Sequence, residues 1–360
     1  MTASKDSGLE APVRPVHRRR RLGRVAAALI LAAALAPGLW WRSPFVPRPP
    51  DQVPARLVLK PIPFGTPGDW PAGLSVIGAW QLTSGNRLFG GYSALLAKSA
   101  DTLVAYSDDA TVLRFTVPGA SGGDPLRVAR LPVGGAWKSG RDLESATANA
   151  ATGQCWFGFE ENNRIERFDP GVRKPRQVFP PAMADWPANG GPESMTRLAD
   201  GRFIVLREDP DWLSSGARPG LLFPYDPVEG AQPVEFSFRP PIGYSPSDMA
   251  ALPDGRVVIL LRSLDLPLPP FFRSKLLIAN PRDIAAGKPW PWQELATFHG
   301  PVPRENYEGL AVVPDAGGVT LWLISDDNQA SYQRTLLLEL HWREGLPRQP
   351  QAISPPRRPS

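Results

Sequence analysis

The sequence predicts an all-β fold: a β-propeller of six blades, with five as the alternative, and an N-terminal apolar helix outside the fold. Three observations lead there. Short apolar runs bounded by Gly and Pro fill a 360-residue chain that is 42% hydrophobic and shows no sustained helical heptad in its body. Five segments, opening at Gly91, Arg141, Gly191, Ser245 and Asn306, repeat one hairpin pattern in which a strand starts at a polar anchor, turns, and closes on another polar group. The anchors Ser93, Glu144, Glu193, Asp248 and Glu308 lie 51, 49, 55 and 60 positions apart, a period of the size of a four-stranded blade.

The first element along the chain is a leader. Residues 1–24 carry Arg18 to Arg21 and Arg24, and the run Val25 to Trp41 holds no charge, the order of a basic n-region and an apolar h-region. That run is at the short limit for a spanning helix, with Trp40 and Trp41 placed as interfacial anchors. Ala34-Leu35-Ala36 has the form of a cleavage site, but Pro37 follows directly, so the reading favours a membrane anchor over a cleaved signal. The arginine pairs also allow a twin-arginine route. In either case the β body is expected outside the cytoplasm, periplasmic or otherwise extracytoplasmic. Residues 42–55 form a Pro-rich spacer, 56–345 the folded domain and 346–360 a disordered tail.

Charge and composition exclude several functions. The first 50 residues hold nine basic against two acidic groups, which accounts for more than the whole formal charge of +5 and leaves the rest of the chain at −2. No basic stripe with interleaved aromatics remains in the body, so nucleic acid is not an expected partner. A lone cysteine, Cys155, excludes an intramolecular disulfide, and three scattered histidines are too few for a His-rich zinc site. There is no G-x-S-x-G elbow and no His partner for Ser93 as a nucleophile. Trp70, Trp186, Trp290 and Trp292 flank prolines and read as loop packing against blade edges rather than as ligand platforms.

The hairpins carry the chemistry. Positions equidistant from a turn face each other. On that rule Glu193 faces Glu208 about Asp200-Gly201, Glu144 faces Glu160, Glu308 faces Asp326 and Ser93 faces Asp108. The fourth unit departs, setting Asp248 against Leu261 with Arg262 as a diagonal neighbour. Innermost strands converge on the propeller axis, so Glu144, Glu160, Glu193, Glu208, Asp248, Glu308 and Asp326 are expected to form an acidic ring at one end of the channel. Gathered carboxylates repel unless raised pKa values, arginines or a hard cation relieve them. Arg164, Arg207, Arg262 and Arg334 are the candidate arginines. Calcium suits the ring because it takes six to eight oxygen ligands in loose geometry; Ser325-Asp326-Asp327-Asn328 and Glu160-Glu161-Asn162-Asn163 are rich in such ligands. Taken singly, an Asp or Asn at a strand end also closes turns through local backbone bonds.

The motifs Phe89-Gly90-Gly91-Tyr92-Ser93, Asn189-Gly190-Gly191-Pro192-Glu193, Asn306-Tyr307-Glu308-Gly309-Leu310 and Ile324-Ser325-Asp326-Asp327-Asn328, followed by Gln333-Arg334-Thr335, come in an order that resembles the bacterial phytase-like family named for "esterase-like activity of phytase". The resemblance covers roughly residues 75–340. It implies a β-propeller-like, usually exported protein associated by name with phosphoester hydrolysis, and it supplies no agreed catalytic residue. The residues themselves suggest a calcium cluster formed from Glu144, Glu160, Glu208, Asp248, Asp326, Asp327 and Asn328. Glu193 or Glu308 would act as general base or cation ligand, with Arg334 in the catalytic set and Arg164 and Arg262 on phosphate. The competing expectation is a non-catalytic envelope propeller that binds a ligand or protein through the same rim.

Overall fold

The computed structural model describes residues 56–123, 126–133, 141–170, 175–208, 216–265 and 271–343. The leader, the spacer up to residue 55 and the tail from residue 346 lie outside the described residues, and no described helix is long and apolar enough to cross a membrane.

Five antiparallel sheets are arranged as blades. Blade 1 runs Tyr92–Ser99, Thr102–Ser107, Thr111–Thr116 and Arg127–Arg130 from the axis outward. Blade 2 comprises Leu143–Asn149, Gln154–Phe159, Arg164–Phe168 and Arg176–Val178, and blade 3 Pro192–Arg197, Phe203–Arg207, Arg218–Phe223 and Val234–Phe238. Blade 4 is Ser245–Ala251, Val257–Asp265, Phe271–Ala279 and Trp292–Thr297. Blade 5 joins the two ends of the fold: Tyr307–Asp315, Gly318–Ser325 and Leu336–Trp342 are continued outward by Leu74–Ser84 and Leu57–Pro61.

The propeller therefore has five blades, and the six-blade expectation is corrected. On the six-blade reading, residues 56–90 and the C-terminal strands make a blade of their own in which 56–60 pairs beside 335–340. Instead Leu74–Ser84 lies against Leu336–Trp342, and Leu57–Pro61 adds to its far edge, so both complete the last blade. The innermost strands of blades 1–5 contact one another in a closed cycle, the last touching the first. Closure protects the inner edges from further strand pairing.

Apolar alternation along these strands buries one cluster at each of the five blade interfaces. Leu95, Leu103 and Phe115 of blade 1 meet Trp322, Ile324 and Leu337 of blade 5, so the core itself locks the ring shut. Tyr106 stands edge-on to Phe157 between blades 1 and 2, with ring centroids 4.9 Å apart. Trp70, Trp186 and Trp290 are buried, and Trp70 and Trp290 donate their indole N–H to the carbonyls of Thr297 and Asn280, as expected of loops packed on blade edges.

One irregularity repeats in every blade. The register between the first two strands slips by one residue near the rim, leaving Ser93, Glu144, Glu193, Ser247 and Glu308 without a cross-strand partner. These are β-bulges, which bend a strand and re-aim the extra side chain. Just inside each bulge, nearer the axis, sit Ala94, Ser145, Ser194, Asp248 and Gly309, all small except the aspartate. Crowding explains the small side chains: a Cβ on Gly309 would lie 2.7 Å from Ile324 Cγ2 and 2.8 Å from Leu95 Cβ.

Gly309→Ala is expected to lower unfolding stability by about 1–3 kcal/mol through overpacking. Urea denaturation should show a lower midpoint with an unchanged slope; an unaltered midpoint would mean that the inner strands do not approach this closely.

Candidate active site

Three positions in each blade converge on the same rim. The unpaired bulge residue is one. The end of the second strand is another: Asp108, Glu160, Glu208, Arg262 and Asp326. Opposite that residue, two places before the bulge, stand Gly91, Asp142, Gly191, Ser245 and Asn306. Four of these facings are backbone bonds, with the amides of Asp108, Glu160, Glu208 and Asp326 donating to the carbonyls of Gly91, Asp142, Gly191 and Asn306. In blade 4, Ser245 is the register partner of Arg262.

The bulge corrects the predicted facings. Gly191, not Glu193, lies across from Glu208, and Asp142, not Glu144, from Glu160. The fourth bulge residue is Ser247, so Asp248 is not the equivalent of the other anchors. Asp248 is almost fully buried and accepts from the amides of Leu310 (2.7 Å) and Met249 (2.8 Å), with Leu95 N–H a further backbone partner. Burial raises its pKa well above the usual aspartate value although those amides oppose the shift. Its bonds to blades 1 and 5 make it a stitch beside the axis.

The blades differ sharply in charge. Blade 2 alone has an acid at all three positions, Asp142, Glu144 and Glu160, each half-buried. One carboxylate oxygen from each lies within 4.8 Å of the others. Two ligands at about 2.4 Å from one calcium ion can be no farther apart than that, so the donor set fits a calcium-sized cation. Beside it, Asn163 is 7% exposed and donates Nδ2 to the Trp186 carbonyl at 2.8 Å, while its Oδ1 has no hydrogen-bond partner among the described residues. Blade 4 has no acid at any of the three positions and contributes Arg262 instead.

Arg262 reaches across the rim. Nη1 lies 2.7 Å from Glu308, and Nη2 lies 3.2 Å from Glu193 and 3.1 Å from Glu208. Burial works against its charge, yet Glu208, Glu308, Glu193 and Glu144 outweigh that and hold the guanidinium well above its usual pKa. The acids keep an excess of negative charge nonetheless. Burial, Glu193, Asp142, Glu160 and Glu308 push Glu144 well up, and burial with Asp142 and Glu208 raises Glu160 to about 7. Glu193 and Glu308 rise through burial and their like-charged neighbours, against the pull of Arg262. Asp326 is raised by burial, Glu308 and Asp108.

The remaining candidates are placed as follows. Asp326 belongs to the rim, and its Oδ1 accepts from Asn328 N–H. Asp327 is 1% exposed and binds the Gly91 amide (3.2 Å) and the Thr335 hydroxyl (2.9 Å), pinning blade 5 to the chain entering blade 1. Gly91 there has φ of 69°, and its neighbour Gly90 would bring a Cβ within 2.8 Å of Asp327. Asn328 is exposed in a left-handed turn. Arg164 is buried over the Phe159 ring, with Nε on Glu166 and Nη1 on Asn162, both at 2.7 Å. Arg334 is 43% exposed and is held through Nε by Glu305 at 2.7 Å. Sequence reasoning missed Asp142 and Asn306, each two residues before an anchor.

Fold and site define an acid-rimmed five-bladed propeller. The sequence matches the phytase-like family, described as "Esterase-like activity of phytase", over residues 87–329, and the chain belongs to that family. No curated protein matches it. Among solved structures it is similar to the aldose sugar dehydrogenase of Streptomyces coelicolor in its PQQ-bound form, with 17% identity, coverage of 80% of this chain and 99% of the other, and a TM-score of 0.39. It is also similar to U3-55K, at 8% identity, 76% and 99% coverage and a TM-score of 0.41. For hydrazine synthase of Kuenenia stuttgartiensis the values are 12%, 69% and 62%, and 0.37, so the chain spans less than two thirds of that protein. Overlaps this low carry no argument about function.

In chelator, the raised rim carboxylates predict a protein that loses stability as pH rises. The folded state binds more protons than the unfolded chain between the ordinary carboxylate range and about 7 for Glu160, and Glu144, Glu193 and Asp326, raised well above their ordinary values, act in the same direction. The proton-linked stabilisation is thus fully present below the ordinary carboxylate range and is lost as pH rises through the folded-state values. The melting temperature without metal should fall from pH 5.5 to 8. A rise over that range would contradict the buried, proton-holding rim.

Proposed function

We propose that the protein is a phytase-like hydrolase that releases phosphate from phosphoesters at this rim, with calcium held by Asp142, Glu144 and Glu160. The coincidence of three acids on blade 2, at the only blade where all three convergent positions are acidic, supports the reading most. Calcium bound there supplies a Lewis acid for a phosphoryl oxygen and lowers the pKa of a bound water. Glu208 and Asp326 complete the acidic surroundings.

The chain's own residues have separable roles. Glu193 and Glu308 lie next to Arg262 with pKa values raised by burial and like-charged neighbours, which suits them to carry a proton to or from the reacting oxygens. Arg334 is ion-paired through Nε and substantially exposed, so its Nη groups are the better-placed fork for a substrate phosphate. The Nη groups of Arg262 and the Nε and Nη1 of Arg164 are already engaged by side chains, so phosphate would have to displace carboxylates from Arg262. The basic leader and apolar run support a site of action outside the cytoplasm, tethered to the membrane or released.

The purified protein assayed on a phosphomonoester panel should show turnover that needs calcium and disappears in chelator. Glu144→Gln and Glu160→Gln should each reduce it by at least roughly 10–100-fold at sub-saturating calcium, with partial recovery at high calcium. Absence of turnover over the whole panel at saturating calcium would leave a ligand-binding propeller instead.

A further inference from the structure

We propose that Arg262 is a resident cation filling a second divalent-cation position, made by Glu193, Glu208 and Glu308, and that its presence restricts the rim to a single calcium. The single-calcium clause rests on the blade 2 reading above; the role of Arg262 does not. The observation is the placement of one guanidinium on three carboxylates from blades 3 and 5, supplied by the one blade that has no acid at its three rim positions. Glu193 and Glu208 share Nη2 and Glu308 takes Nη1, so oxygens of all three already surround a single positive centre.

A neutral ligand stands beside them. Asn306 is fully buried and donates Nδ2 to Glu308 Oε1 at 2.6 Å, while its Oδ1 has no hydrogen-bond partner among the described residues. Three carboxylates and a carboxamide oxygen are the ligand types that calcium accepts. Arg262 supplies one positive charge where calcium would bring two, from a side chain that cannot dissociate and stays ionised at any working pH. The second-strand position it occupies is acidic in blades 1, 2, 3 and 5, as Asp108, Glu160, Glu208 and Asp326. An acid there in blade 4 would have enlarged the anionic cluster; an arginine neutralises part of it and excludes a metal.

Calcium titration by calorimetry on the purified protein tests this with Arg262→Gln, Arg262→Lys and the double variant Arg262→Gln/Glu308→Gln. Arg262→Gln should bind one calcium more than the unaltered protein, Arg262→Lys the same number, and the double variant should lose the added ion. In chelator, Arg262→Gln should melt roughly 5–10 °C lower, the consequence of breaking a buried ion-pair cluster, and excess calcium should restore most of that loss. If the variant does not fold in chelator, calcium should rescue it. A folded Arg262→Gln with unchanged stoichiometry, or a misfolded one that excess calcium does not rescue, overturns the proposal. An unaltered protein that binds no calcium while Arg262→Gln binds one would remove the blade 2 site and leave the role of Arg262 standing.

Discussion

A single backbone device organises this molecule: one unpaired residue near the rim end of each innermost strand. A regular pleat would alternate the side chains of 142 to 145 or 191 to 194 between the two faces of a blade. The bulge breaks that alternation at the same place in all five blades, and thereby separates a residue at the rim from a packed neighbour that is small in every blade except the fourth. Closure of the ring on Leu74–Ser84 and Leu57–Pro61 fixes the five bulges relative to one another. The apolar clusters between blades make that arrangement stiff, because side chains packed at interior density transmit displacement rather than absorb it.

Electrostatics then follows from which residues the sequence places at those fixed points. Eight of the fifteen convergent positions are carboxylates, all of them in blades 1, 2, 3 and 5, a concentration that water cannot dissipate because Glu193, Glu308 and Asp326 are nearly inaccessible. Three reliefs operate together. Protons remain on part of the set, Arg262 neutralises the side formed by blades 3 and 5, and backbone amides satisfy the acids that serve the scaffold, Asp248 and Asp327. What is left is the cluster on blade 2, where one carboxylate oxygen from each of Asp142, Glu144 and Glu160 lies within 4.8 Å of the others. A site of this kind is bought with stability, in keeping with the rule that strained or repulsive constellations gather where a protein binds or reacts.

Much of this was legible in the sequence. The spacing of Ser93, Glu144, Glu193 and Glu308 located the rim, the motif order pointed to the family, and the odd character of the fourth unit was visible in Arg262. The bulge was not legible, because nothing in the residue types of Pro192-Glu193-Ser194 announces a register slip. Equidistance from the turn therefore paired Glu193 with Glu208, and it drew Asp248 into the ring in place of Ser247. The same omission hid Asp142, which lies opposite Glu160 only once the slip is counted. Blade number failed for a different reason: residues 56–90 and the C-terminal strands were assigned to a blade of their own, whereas they complete the blade that begins at Tyr307. The partners of Arg164, Glu166 and Asn162, are set by chain neighbours two residues away and needed coordinates to be seen as such.

The most direct measurement is anomalous diffraction from crystals of this protein grown with a lanthanide in place of calcium. One peak is expected, about 2.3–2.6 Å from carboxylate oxygens of Asp142, Glu144 and Glu160, with Arg262 still seated on Glu193, Glu208 and Glu308. A peak among the latter three, or none on blade 2 at saturating lanthanide, would contradict the assignment of the metal-binding centre to that blade.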